Sequence, residues 1–492
     1  MPRVPINSTA YAGKSVIASG QEQVNLYSEL NPDPDAPVKF TNYPTPGTLL
    51  YATPTAPDNS RGCYRTSIGT AYHVVGQNIY FVTSIGTEIF IGAIADRPSQ
   101  IRFADNGIVL VLVDGVSCYV IDLETNAIGI VTDPNFYSAD FVVLLDTFFV
   151  FNVASTNQFF LSVSNADFIL LTTVGAFDPL DIAAKAGFND PIVGLATSHR
   201  ELWLIGALTS EVWIGTGAAD FYFQQVQGAY INHGCGAAQS IASQDVLVFF
   251  LMQDQQGKNI VVQGQGYELE EISTPRIVSE FNKYADTSDA IGFCFQVEDH
   301  SYYAIVFPTA NKGWLYDLTT SARSQTRSWY EWNWIDPING SFNRPRLNCI
   351  MFAFGYLLGG DWETGNLLKL TIDALTDYTS DSGNGPITRV RTFPHLVDNN
   401  QRITYTSFEA EFEVGTAGED EEPEVSLSWS DNKGVSYGNP VMQSMGRIGD
   451  YLAVPQWSRL GMARDRVFKL SWSTTNKTAL NGGFVEFLKG RT

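Results

Sequence analysis

Cationic side chains are in short supply. The 492-residue chain carries 30 Lys plus Arg against 52 Asp plus Glu, a formal net charge of -22, which disfavours any grip on nucleic acid through basic patches and counterion release. Cysteine is scarce as well. Cys63, Cys118, Cys235, Cys294 and Cys349 stand far apart in the chain, so none makes the close CxxC pairs of zinc or thiol redox centres, and they read as reduced core thiols. The histidines, His73, His199, His233, His300 and His395, show no HExxH, HxH or HxxxH spacing; no metal and no other cofactor is expected. Long apolar runs are missing too. The most apolar stretch, Phe141 to Val153, is cut by Asp146, and the N-terminus has Pro2, Pro5, Asn7 and Lys14 where a secretory leader needs an apolar segment. Nothing approaches the run of about 18 apolar residues that a membrane helix requires. The expectation is a soluble protein made in a reducing cytoplasm, without membrane contact.

What the chain does have is aromatic and glycine content. Phe, Tyr, Trp and Gly number 31, 22, 10 and 42, and hydrophobic residues reach 44% with only 17% charged. That composition excludes general disorder and favours pleated, half-buried surfaces, so an all-β fold is expected. Three regions follow from the pattern. Residues 1–59 read as an extended N-terminal arm, polar and studded with prolines in Asn31-Pro-Asp-Pro-Asp-Ala-Pro37 and Tyr43-Pro-Thr-Pro-Gly47, which needs another surface, such as an adjacent subunit, to lie on. Residues 60–385 hold short apolar runs recurring roughly every 40 residues, the length of a propeller blade. Ala71 to Val82 with Glu88 to Gly92, Gly107 to Val113 with Ser117 to Asp122, and Glu201 to Gly206 with Glu211 to Gly215 illustrate the plan. A β-propeller-like array of about six or seven blades is the reading. Beyond residue 385 strict alternation appears, as in Arg402 to Val414 and Phe468 to Trp472, and residues 386–492 read as a β-sandwich-like domain.

Catalytic signals are thin. There is no GxSxG, no P-loop and no GxGxxG opening a helix. His233-Gly-Cys-Gly236 sets a base beside a thiol, but neighbours in sequence point apart on a strand, and a loop entering a strand explains it better. The acidic stretch Glu419 to Glu424 lacks the ligand spacing of a calcium loop and reads as a solvated hairpin tip. Ser430-Asp-Asn-Lys-Gly-Val-Ser-Tyr437 approaches the Asp-box, with Asn432 and Gly434 stabilising a hairpin turn; that is a folding device, found with and without enzyme activity. Arg447, Arg459, Arg464, Arg466 and Lys469 cluster in an otherwise acidic chain, either as a face for an acidic partner or as a surface balanced by Asp450 and Asp465.

The segment His199 to Gly217 resembles the packaged-DNA stabilisation proteins, the tail hub or nozzle proteins of short-tailed bacteriophages. In that family an apolar strand ends in glycine, a Ser/Thr-x-Glu-x-aromatic strand follows and a further glycine closes the hairpin; Gly206, Glu211, Trp213 and Gly217 take these places. The similarity continues from Gly234 through the segment Ile272 to Phe281 and Tyr284, and includes Asn25-Leu-Tyr27, Pro46-Gly47, Met445 to Gly449 and Arg464 to Phe468. The resemblance implies a propeller-like β-fold, a homohexameric ring at the end of the tail below the portal-adaptor ring, contacts to a needle or tip protein and to tail spikes or fibres, and DNA passing through the lumen without sequence-specific binding. It also implies location in the virion tail after synthesis in the host cytoplasm. It implies no catalytic residue. The competing reading, from the Asp-box-like turn and the many aromatics, is a glycan-binding or glycan-cleaving propeller such as a depolymerase or a sialidase-like protein.

Overall fold

The computed structural model describes residues 3–6, 13, 15, 17, 19–33, 38–218, 220–253, 257–379, 383–415 and 421–489. Asn7 and Lys14 of the N-terminus, Pro34 and Pro37 of the arm, and Glu419 and Asp420 of the acidic stretch lie outside them. Among the described residues the α-helices are short, Phe168–Thr172, Pro275–Phe281 and Leu318–Ser324, and none is long and apolar enough to cross a membrane. The fold is all-β.

Seven antiparallel four-strand units follow one another along the chain. Their first strands are Ser60–Arg65, Arg102–Asp105, Val142–Leu145, Ile192–Ser198, Ala242–Gln244, Ile291–Val297 and Leu347–Ala353. These strands pack in turn, the second on the third and so on to the seventh, and the seventh packs on the first. The remaining junction closes where Phe103 of the second unit stacks on Tyr64 of the first at 5.5 Å. The result is a β-propeller. Because the sheets are covered on both faces, middle strands such as Ala71–Val75 and Val109–Val113 are buried along their whole length. This is why the repeats read as unbroken apolar runs and not as alternation. Hairpins are cut by turn residues the geometry demands. Gly76, at φ +54°, opens the two-residue loop between Val75 and its partner Asn78, a left-handed position that costs a glycine nothing.

The seventh sheet is completed from the other end of the chain. Leu367–Thr371 pairs antiparallel with Gly47–Ala52, so a strand inside the 1–59 arm closes the ring.

The C-terminal region is a sandwich of two sheets around Phe408, Phe412, Leu427, Trp457, Phe468 and Trp472. Ile403–Phe412 alternates buried and half-buried positions over most of its length, as expected where one sheet face meets the core and the other water. One sheet runs Leu26–Leu30, Phe40–Pro44, Leu480–Lys489, Ile403–Phe412 and Gln456–Ala463. The other contains Thr388–Thr392, Asp465–Ser473, Glu424–Ser430 and Val441–Ser444. Gln23–Val24 joins this second sheet to the propeller, lying parallel to Ser328–Glu331 on one side and antiparallel to Thr388–Thr392 on the other. The expectation of an arm lying on an adjacent subunit is therefore corrected for its described strands: they pair within their own chain. The prolines do not obstruct this, since Pro44 merely ends its strand and opposes Leu26.

Candidate functional site

Four of the motif residues meet at the junction of the third and fourth sheets. The third sheet ends in Ile182–Ala184, and the following loop returns beneath the hairpin of Glu201–Gly206 and Ser210–Gly215. Glu211 is fully buried there. Its carboxylate accepts from the backbone N–H groups of Gly187 at 2.7 Å and Ala186 at 3.1 Å, and from Trp213 Nε1 at 3.1 Å. The Trp213 ring meets Phe159 of the third sheet edge-on at 5.1 Å. One carboxylate thus binds loop and strand together, the condition under which a buried charge is tolerated.

Beside it lies an ion pair that composition and spacing did not reveal. Lys185 Nζ donates to Asp190 Oδ1 at 2.6 Å, to Thr209 O at 2.8 Å and to Thr209 Oγ1 at 3.0 Å. Asp190 also accepts from the N–H groups of Leu208 at 2.7 Å and Thr209 at 3.1 Å. Burial alone would raise the Asp190 carboxyl, but Lys185, Thr209 and the two N–H groups outweigh it and hold it below the usual carboxylate range. Gly206 is required at this spot because a Cβ there would run into Lys185 Nζ, Asp190 and the carbonyl of Thr209. Gly234 follows the same logic, its missing Cβ leaving room for the carbonyl of Gly206 and the backbone of Ala207. Gly217 stands apart in the next loop, at φ +70°.

Asn432 and Gly434 lie in the sandwich, remote in sequence and in sheet from this junction. Asn432 Oδ1 accepts from Ser430 Oγ at 2.7 Å and from Ser436 N at 2.9 Å, and Gly434 N donates to Ser430 Oγ at 2.9 Å. With Lys433 and Gly434 both at positive φ, the side-chain oxygens substitute for turn hydrogen bonds. Asn432→Ala is expected to cost about 1–2 kcal/mol, read as a lower urea midpoint with an unchanged m-value.

Of the cationic cluster, Arg459 and Arg464 are exposed, while Arg466 and Arg447 are held in ion pairs. Arg466 is buried against Asp431 at 2.6 Å and the carbonyl of Leu460 at 2.6 Å, and Arg447 pairs with Glu422 at 2.9 Å. Cys235 donates to the carbonyl of Ala237 at 3.0 Å, and burial pushes its thiol up to about 11, away from nucleophilic use near neutral pH. Among the described residues no cluster of His, Cys, Asp and Glu could hold a metal ion.

The propeller axis carries the main cavity of this region, about 340 Å³, lined by Cys63, Arg102, Ser243, Cys294 and Asn348 among others. Arg102 crosses it. From the second sheet its guanidinium donates to the carbonyls of Ile241 at 3.2 Å and Ala238 at 3.3 Å beside the fifth, and lies over the Phe141 ring at 4.5 Å.

The chain is a seven-unit propeller bound to a β-sandwich, with Gly206, Glu211, Trp213 and Gly234 gathered at one sheet junction. Two family models match it in the same order: Bacteriophage P22 Gp10, beta-propeller, over residues 24–373, and Bacteriophage P22 Gp10, beta-sandwich, over residues 388–487. The chain belongs to this phage stabilisation family, and is a structural protein of the virion tail that takes part in stabilising packaged DNA. No curated protein matches it. Solved structures similar in shape include streptogramin B lyase, at 10% identity and TM-score 0.43 over 66% of this chain and 98% of that one. The Cps50 (Swd1) β-propeller domain of Myceliophteria thermophila follows at 8% and 0.39 over 66% and 99%. The N-terminal domain of Nup159 is similar at 9% and 0.38 over 71% and 98%. The assignment rests on the family models.

Proposed function

We propose that the protein is a tail hub, a nozzle whose copies form a ring that extends and closes the portal channel, retains the packaged genome and conducts it at ejection, and docks needle and spike proteins. The carrying observation is that the described residues of one chain offer no conduit. The axial cavity of about 340 Å³ is crossed by Arg102, whereas a duplex, whose major groove alone is about 12 Å wide, needs an open bore wider than that groove. A DNA path therefore has to run between copies, and a homohexamer supplies one. Charge supports the same reading. Among the described residues burial removes seven Lys and Arg and eight Asp and Glu, so nearly all of the net charge of -22 stays on the surface. Such a wall repels phosphate and lets a duplex slide. Nothing in the geometry favours the glycan reading over this one: the Trp362 ring lies against the guanidinium of Arg344 at 4.3 Å and of Arg346 at 5.7 Å, which leaves less ring face for a sugar.

Electron microscopy of virions, or of the chain mixed with portal and adaptor, tests this. Six-fold density coaxial with the tail is the expected result. A peripheral three-fold spike, or absence from the tail, overturns the hub assignment.

A further inference from the structure

The seam where the first sheet meets the seventh holds a group of side chains whose chemistry the family role does not use. Cys63 lies on Ser60–Arg65 and Cys349 on Leu347–Ala353, the innermost strands of the two sheets, and both line the axial cavity. Cys63 and Cys349 pack in one cluster at this seam, with Ala52, Ala71 and Leu358. Ser60 Oγ lies 3.3 Å from that sulfur and 2.8 Å from His73 Nε2, and His73 Nδ1 lies 2.7 Å from Glu88 Oε1. Ser60, His73 and Glu88 are buried, while Cys349 is partly open to the cavity.

Chain order fixes the direction of these bonds when the imidazole is protonated. Glu88 can only accept, so His73 donates to it through Nδ1–H and donates to Ser60 through Nε2–H. Ser60 then donates its own hydrogen onward to Cys349. The Cys349 sulfur receives from Ser60, with Cys63 packed in the same cluster, and a donor aimed at the sulfur favours a thiolate. Burial opposes a charge on His73, but the carboxylate of Glu88 outweighs it and raises the imidazole above its ordinary value; Cys63, then His73 and Ser60, overcome burial and lower the Cys349 thiol. By contrast burial pushes the thiols of Cys118 and Cys294 up.

We propose that Cys349 and Cys63 form a thiol–disulfide exchange site at the propeller seam, with Cys349 as the attacking sulfur, Cys63 as the resolving sulfur and small-molecule disulfides as the substrate class. Cys349 thiolate attacks one sulfur of the disulfide RSSR. The S–S bond breaks, and the departing thiolate takes up the proton that Cys349 gave to His73. Cys63 then attacks the Cys349 sulfur of the mixed disulfide; the second thiolate leaves and receives the Cys63 proton. Two electrons pass from the protein to RSSR, giving two RSH and one bond between the first and seventh sheets. The product locks the ring at the point where its two ends meet.

The test uses the full chain and oxidised glutathione, quenched with N-ethylmaleimide and mapped by peptide mass spectrometry. The expected product is a Cys63–Cys349 bridge, with Cys118, Cys235 and Cys294 recovered as free thiols. Cys63→Ser should stop at a glutathione adduct on Cys349, and Cys349→Ser should give neither. His73→Gln, a positioning change, should slow the reaction ~10-fold near neutral pH and move its pH midpoint upward. Folded wild-type chain whose thiols all stay unmodified, or whose adduct sits on Cys294, overturns the proposal; this wild-type result decides it even where a variant does not fold.

Discussion

Asp190→Ala is expected to cost about 3–5 kcal/mol of stability, because it leaves the buried ammonium of Lys185 without its counter-charge. Lys185 is 5% exposed and Asp190 4%, so neither water nor a rearranged side chain can replace the lost carboxylate. The same change strips the N–H groups of Leu208 and Thr209 of their acceptor. Asp190→Asn keeps acceptor geometry and loses only the charge, so it should fall between the parent and the alanine variant. Lys185→Met combined with Asp190→Leu removes both charges and should cost less than Asp190→Ala alone. An equal loss from the double and single changes would show that the pair is not a coupled unit. The effect is pH-dependent with a definite sign. The folded Asp190 carboxyl lies below its unfolded value, so its contribution is present above the ordinary carboxylate range and is lost as pH falls through the depressed folded value. Urea unfolding of parent and Asp190→Ala between neutral and acidic pH should therefore converge toward acid.

This junction shows where the amino-acid sequence is informative and where it is mute. Gly206, Glu211, Trp213 and Gly234 stand out in sequence because a buried carboxylate and a backbone without room for Cβ tolerate few alternatives. Lys185 and Asp190 are as critical but do not stand out, since a lysine and an aspartate in a loop look like solvent-facing charges. Only the third sheet folding against the fourth makes them a pair. The propeller itself is legible through its doubly covered middle strands, and the sandwich through the alternation of Ile403–Phe412. Its tie to the propeller is not. Gln23–Val24 is two residues long, too short to carry a periodic signal, and its pairing partners lie some three hundred residues downstream. Arg102 is likewise invisible as an axial plug, because what it crosses is defined by sheets that are distant in sequence.

Gly47→Val is expected to destabilise the chain by about 2–4 kcal/mol, although it adds only an apolar side chain. A Cβ at residue 47 would collide with the carbonyl oxygens of Ala374 and Thr376, while the Gly47 N–H already donates to Ala374 O at 3.0 Å. These are backbone atoms and cannot swing aside as a flexible side chain would. The strand Gly47–Ala52 must shift to make room, and it is the strand that completes the seventh sheet. Thr48 moves with it, losing its bond to Asp377 at 3.1 Å and the N–H of Tyr378 at 2.9 Å. Hydrogen exchange should show amides in Leu367–Thr371 losing protection first, with Ala71–Val75 unaffected until the ring opens. Leu50→Ala, at a side chain 48% exposed, should change stability by no more than about 0.5 kcal/mol and serves as the control. A Gly47→Val chain that unfolds like the parent would mean that the strand does not hold the ring. Joining strands from distant parts of the chain within the seventh sheet closes the ring through a backbone hydrogen-bond ladder and not through side-chain packing alone.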